Sequence, residues 1–175
     1  MRKILTTHQV MPGFVDFLQA FGRKASSSDT GFGGCKRKIE YAPTSPGFVQ
    51  AERKRGIEYY EICYNLKYAE KNNRLPEDPW SVRQTCVYQK FEYDCKRSTW
   101  ILVQPSERAR NRLQEVFKSR TTEDIDRSVH NPLDIHLLFI SASAENWRWY
   151  FNHLEESLID MVRLPLSTLH PQIGC

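Results

Sequence analysis

The sequence predicts an α+β domain: a small, mostly antiparallel sheet packed with helices and ending in one long C-terminal helix. Three observations carry this. Ile62, Tyr64, Leu66 and Tyr68 alternate with Cys63, Asn65 and Lys67, the two-residue period of a half-buried strand. Two further runs rich in β-branched and aromatic residues, Val82 to Tyr93 and Ser98 to Pro105, are separated by the polar segment Asp94 to Arg97, as a hairpin requires. Finally, Ile140, Ala144, Trp147, Phe151, Leu154, Leu158 and Met161 recur in alternating steps of four and three, the seam of a helix that packs on another helix or along a sheet.

In chain order, Phe14, Val15, Phe17, Leu18 and Phe21 recur at helical steps. With Pro12 where a first turn tolerates it, they predict a short amphipathic helix from Val10 to Phe21 that ends at Gly22. Residues 24–55 then change character. Ser26 to Ser28, Gly31 to Gly34, two prolines and two basic runs predict a long flexible surface loop. Gly56 to Tyr68 is the first predicted strand, with a helix as the alternative for its first half, and Leu75 to Trp80 is a proline-bracketed turn into the hairpin. Ser106 precedes a short helix to about Lys118 with Glu107 in its first turn and Leu113, Val116 and Phe117 on one stripe. Thr121 to Val129 is polar and reads as a connection. Asn131, Pro132 and Asp134 form a helix start, and the helix they open is expected to reach about Val162. At 1.5 Å per residue it would be roughly 45 Å long, more than a core of this size needs. Its second half is therefore expected to meet a partner outside the chain or to dock on the N-terminal helix.

The 175 residues fit one domain spanning 1–175, and 40 % apolar with 12 % aromatic residues suffice to fill its core. The five cysteines are odd in number, widely spaced and form no C-x-x-C pair, which predicts reduced thiols and no zinc site. Cys86 and Cys95 could face each other across the hairpin; two small buried side chains are the expectation. The N-terminal residues lack an apolar core for export, and the most apolar stretch, Leu133 to Ala144, falls short of the roughly 20 residues that cross a bilayer. A cytoplasmic location and no membrane span follow as expectations. The net charge of +4, from 25 basic and 21 acidic residues, does not call for nucleic acid.

Chemistry-bearing motifs are sparse. The glycines of Gly31 to Lys36 lack phosphate-loop spacing, the histidines form no ligand pair on one helical face, and no serine or cysteine stands in a nucleophile context, so the expectation is a non-enzyme. Glu156 and Asp160 share a helical face and, as paired carboxylates, suit a hard cation such as magnesium; a solvated helix face is the competing reading. Lys36, Arg37 and Lys38 with Arg53, Lys54 and Arg55 form the basic loop, a candidate contact for a protein or an anionic surface. Trp147, Phe151, Leu154, Leu158 and Met161 are the candidate interaction residues on the last helix.

Several segments occur in a recognisable order: His8-Gln-Val-Met-Pro-Gly-Phe14, Asp78-Pro-Trp-Ser-Val-Arg-Gln-Thr85, Thr99-Trp-Ile-Leu-Val-Gln-Pro-Ser106, Ile140-Ser-Ala-Ser-Ala-Glu-Asn-Trp-Arg-Trp-Tyr150 and Leu154-Glu-Glu156. They resemble the cytosolic N-terminal domain of CorA-like transporters of filamentous fungi, which carry magnesium and other divalent metal ions. The resemblance implies an α/β domain that feeds a long helix into two membrane helices, a Gly-Met-Asn signature and a homopentamer. Neither that signature nor a membrane helix occurs in this sequence, and Leu164-Pro165 is expected to end the helix. The resemblance therefore implies an assembly or regulatory role through self-association, or through a membrane-embedded relative, without ion conduction by these residues alone. An independent interaction domain that uses the basic loop is the alternative.

Overall fold

The computed structural model describes residues 2–22, 33–42, 56–72, 78–118 and 132–167. Two short helices, α1 (Arg2–Thr7) and α2 (Phe14–Gln19), precede four strands, β1 (Cys35–Tyr41), β2 (Ile57–Lys71), β3 (Trp80–Glu92) and β4 (Arg97–Val103). Three helices follow: α3 (Glu107–Lys118), α4 (Leu133–Ala144) and α5 (Trp147–Ser167). The strands form one antiparallel sheet in the order β1-β2-β3-β4. This is the predicted α+β architecture.

Helices cover both faces of the sheet. On one, Met11, Phe14 and Phe17 pack against Cys63, Cys86 and Tyr88, with Ile101 and Val103 at the margin. On the other, Ala109 of α3 and Ile135, Phe139 and Ala142 of α4 close over Val87, Tyr64, Leu66, Trp100 and Leu102. The register Cys63↔Tyr88 and Tyr64↔Val87 sends alternate residues to the two cores. Because β3 is covered twice, every residue from Thr85 to Phe91 is buried, and its pattern reads as a continuous run instead of an alternation.

Three expectations need correction: the loop over 24–55, the extent of the helix from Val10 to Phe21, and the end of the last helix at Leu164-Pro165. Within the loop expected over 24–55, Cys35 to Tyr41 form β1, paired antiparallel to β2 from Cys35↔Tyr64 to Glu40↔Tyr59. An edge strand that buries almost nothing needs no apolar alternation, so Lys36, Arg37 and Lys38 can occupy it while reading as loop. The rest of that segment, including Arg53, Lys54 and Arg55, lies outside the described residues, as does the connection expected at Thr121 to Val129.

The helix expected from Val10 to Phe21 is shortened to α2. Gln9 stands at φ 46°, and the Met11 N–H donates to the Glu61 carboxylate at 2.7 Å, so the backbone here is committed to the sheet and not to a helical ladder.

The long C-terminal helix is present as two successive helices separated by Glu145 and Asn146. Glu145 keeps helical backbone angles while its carboxylate pairs with both Arg108 and Arg112 of α3. The Asn146 side-chain amide donates to the Ala69 carbonyl on β2 at 3.0 Å. Two side chains thus tie the junction to the domain. The backbone then stays helical to Ser167, past Pro165, whose locked φ of about −65° is itself helical and costs one ladder bond.

The remaining elements follow their sequence signals. The Ala109 N–H donates to the Ser106 hydroxyl at 3.1 Å, which caps α3. Described cysteines Cys35, Cys63, Cys86 and Cys95 are all free; Cys86 lies in the core and Cys95 in the exposed turn. Among the described residues no helix is long and apolar enough to cross a membrane.

Candidate functional site

Helix α5 carries the residues singled out in the sequence as an interaction face. At 3.6 residues per turn, Trp147, Phe151, Leu154, Leu158 and Met161 fall on one stripe, and Trp149, His153, Glu156 and Asp160 fall on the opposite one. The first part of the polar side, up to Glu156, borders the domain. Trp149, Asn152, His153 and Glu156 line a cleft together with Lys71, Pro79 and Trp80 of the β2–β3 hairpin. His153 Nε2 lies 3.3 Å from Asp78 Oδ1, and the Tyr150 ring packs on Trp80 at 6.1 Å between centroids.

The apolar stripe points outward. Phe151, Leu158 and Met161 are 56 %, 59 % and 59 % exposed, and Leu154, Val162 and Ile159 are exposed as well. Only Trp147 is half-buried, with its ring against Tyr150 and Phe151 at 5.9 and 5.6 Å. The structure therefore places all five predicted interaction residues on one face, and that face is not docked on α1 or α2, which lie across the sheet. Contiguous exposed apolar surface of this kind is uncommon on a folded protein. Ile140 and Leu137 on α4 extend exposed apolar surface toward the junction.

The other candidates fare differently. Glu156 and Asp160 are exposed and one turn apart, and no third carboxylate, histidine or cysteine joins them in a metal-holding group among the described residues. Such a pair leaves most of a hard cation's shell to water. Lys36 and Lys38 point to the α2 side of β1, where Lys36 pairs with Asp16 and Lys38 donates to the Tyr59 hydroxyl at 2.7 Å and meets Glu40 at 3.3 Å. Arg37 lies on the opposite side of the same exposed strand.

Two buried polar constellations escaped the sequence reading. Glu61, inside the core, accepts from the Met11 N–H and, at 2.6 Å, from the Tyr88 hydroxyl. His136 of α4 sits between Tyr64, Trp100 and Gln89. Gln89 spends its amide N–H on Ser98 Oγ at 3.1 Å, so its Oε1 accepts from His136 Nε2–H at 2.8 Å, and His136 Nδ1 accepts from the Tyr64 hydroxyl at 2.7 Å. This arrangement needs a neutral imidazole, and burial accordingly holds the His136 pKa below its ordinary value. Glu61 could have been suspected from its place in a strand with core-forming neighbours. His136 carried no local signal, because its partners are 72 and 47 residues away.

The chain matches the family model of the CorA-like transporters over residues 1–165. No curated protein and no solved structure matches it.

Proposed function

The chain belongs to the CorA-like transporter family, and from that membership we propose that it serves as the cytosolic, non-enzymatic part of a divalent metal-ion transport assembly. Magnesium is the ion and a filamentous fungus the source that the sequence resemblance supports. Its role is assembly and regulation: the apolar stripe of α5 packs on the same stripe of further copies, or on a membrane-embedded relative.

One observation carries this reading. Helix α5 borders its own domain on its polar side and leaves Phe151, Leu154, Leu158 and Met161 exposed, so none of the described residues buries the stripe and a further chain is the occupant that fits it. No described helix can itself cross a bilayer, so the described residues supply no ion path of their own.

Sedimentation equilibrium at tens of micromolar tests the proposal. Self-association, or binding to a full-length family member, that disappears in Leu158→Asp supports it. A strictly monomeric chain that also ignores a full-length relative refutes it.

A second reading rests on β1, whose exposed strand carries Lys36, Arg37 and Lys38 on the sheet edge, where an acidic partner could be held electrostatically. Salt-sensitive binding to an acidic peptide, lost on replacing these three residues, would favour it over assembly through α5.

A further inference from the structure

Beside the junction of α4 and α5, the ends of β2 and β3 and the start of α3 border an open cavity of about 810 Å³. That volume lies within the range that takes small organic ligands. Its ionic lining is Lys71, Arg83 and Arg110 against Glu70 and Glu107, so three cations and two carboxylates leave one positive charge. Arg83 is already engaged by Glu70 at 3.2 Å. Lys71 and Arg110 are thus left with one further carboxylate in the lining, Glu107, and the cavity is short of negative charge.

Two indoles complete the wall, Trp80, which is 8 % exposed, and Trp149, which is 60 % exposed. Each is matched to a cation of the chain itself. Lys71 Nζ stands 5.5 Å from the Trp80 ring centroid, and Arg148 Cζ stands 5.8 Å from that of Trp149. A cationic ligand would compete with both. What the cavity can still accept is a flat ring on the open indole face and an anion against the ammonium and guanidinium groups.

We propose that this cavity binds a planar aromatic phosphate of the mononucleotide class, its ring on Trp149 and its phosphate at Lys71 and Arg110. Arg110 offers the fork that phosphate oxygens fit, and Lys71 adds a point charge. Glu107 accepts from an exocyclic amine or a hydroxyl of the same ligand. Because Asn146 and Trp149 also line the cavity, an occupant bridges the sheet, α3 and the first turn of α5. Binding would therefore set how firmly α5 is held on the domain. This last consequence rests on the assembly role proposed for α5, whereas the binding itself does not.

Titration of the whole chain with AMP, followed by tryptophan fluorescence and by calorimetry, tests the site, with adenosine and inorganic phosphate as separate arms. The expected result is saturable AMP binding, with adenosine and phosphate each weaker by about tenfold or more, because each lacks one half of the recognition. Arg110→Ala and Trp149→Ala, both at exposed positions and checked for native circular dichroism, should each weaken AMP by about tenfold. Absence of saturable AMP binding up to millimolar concentration overturns the proposal, as does AMP binding that neither substitution weakens. Loss of self-association with AMP binding intact would count only against the assembly role, and the converse only against this site.

Discussion

Replacing Glu61 should unfasten the N-terminal helices from the sheet. Its carboxylate is 1 % exposed and accepts two hydrogen bonds, from the Met11 N–H at 2.7 Å and from the Tyr88 hydroxyl at 2.6 Å. Glu61→Ala deletes the acceptor of both and leaves two donors in a site closed to water. An unsatisfied buried donor costs about 1–3 kcal/mol, so two cost about 2–6 kcal/mol. Relief from burying a carboxylate offsets part of this. A net loss of about 3 kcal/mol is expected, which lowers the melting temperature by roughly 6–12 °C in a chain of this size. Both bonds end on Oε2, so Glu61→Gln with its amide oxygen in that place can keep both and should cost less than Glu61→Ala.

The assay is urea denaturation followed by circular dichroism, with amide hydrogen exchange at Met11 as the local readout. In Glu61→Ala the Met11 amide should lose protection before the strand amides of β2 and β3 do, because the first core is clamped at that point. An alanine variant within about 0.5 kcal/mol of the parent, with Met11 protection unchanged, would refute the reasoning, since it would show that neither bond contributes measurably.

Three other outcomes follow. Phe139, fully buried beneath α4, and Phe151, exposed on α5, carry the same side chain, so Phe139→Ala should cost about 3–5 kcal/mol and Phe151→Ala less than about 0.5 kcal/mol in thermal or urea melts. The His136 imidazole has a lowered pKa in the folded chain and titrates near 6.5 when unfolded, so between those values the unfolded state binds more protons. Stability contributed by the neutral ring is therefore full above pH 6.5 and falls as the pH drops through the folded value. Melting curves at about pH 7.5 and about pH 5 should diverge less in His136→Gln than in the parent. Burial pushes the Cys63 and Cys86 thiols up to about 12, whereas Cys35 and Cys95 are exposed. Iodoacetamide at mildly alkaline pH should modify Cys35 and Cys95 in the native protein and reach Cys63 and Cys86 only on denaturation, as peptide mass spectrometry would show.

The sheet was legible where residue types alternate along a strand. Ile62 to Tyr68 alternates because the pleat sends successive residues to opposite sides, and β2 runs through it from Ile57 to Lys71. The hairpin around Asp94 to Arg97 was legible because a turn needs polar residues between two β-rich runs, and the observed strands end at Glu92 and resume at Arg97. β1 was not legible. Its partner is found only across the sheet, and an edge strand of lysines and arginines has no buried face to impose a period. The junction at Glu145 and Asn146 was equally hidden, because the groups that hold it, Arg108, Arg112 and the Ala69 carbonyl, come from other elements.

The interaction face divides along the same line. Periodicity alone determined that Trp147, Phe151, Leu154, Leu158 and Met161 share one stripe, because helical geometry is local and depends on nothing beyond the spacing of residues. Whether that stripe lies inside the domain or outside it is not local. The sequence offered both outcomes, docking on the N-terminal helix or meeting another chain. Only the tertiary structure removes the first: α5 borders the β2–β3 hairpin, with Trp80 and Asp78, and the N-terminal helices lie on the far face of the sheet. Which face a helix buries depends on what the rest of the chain places beside it, and here that leaves the apolar stripe in water.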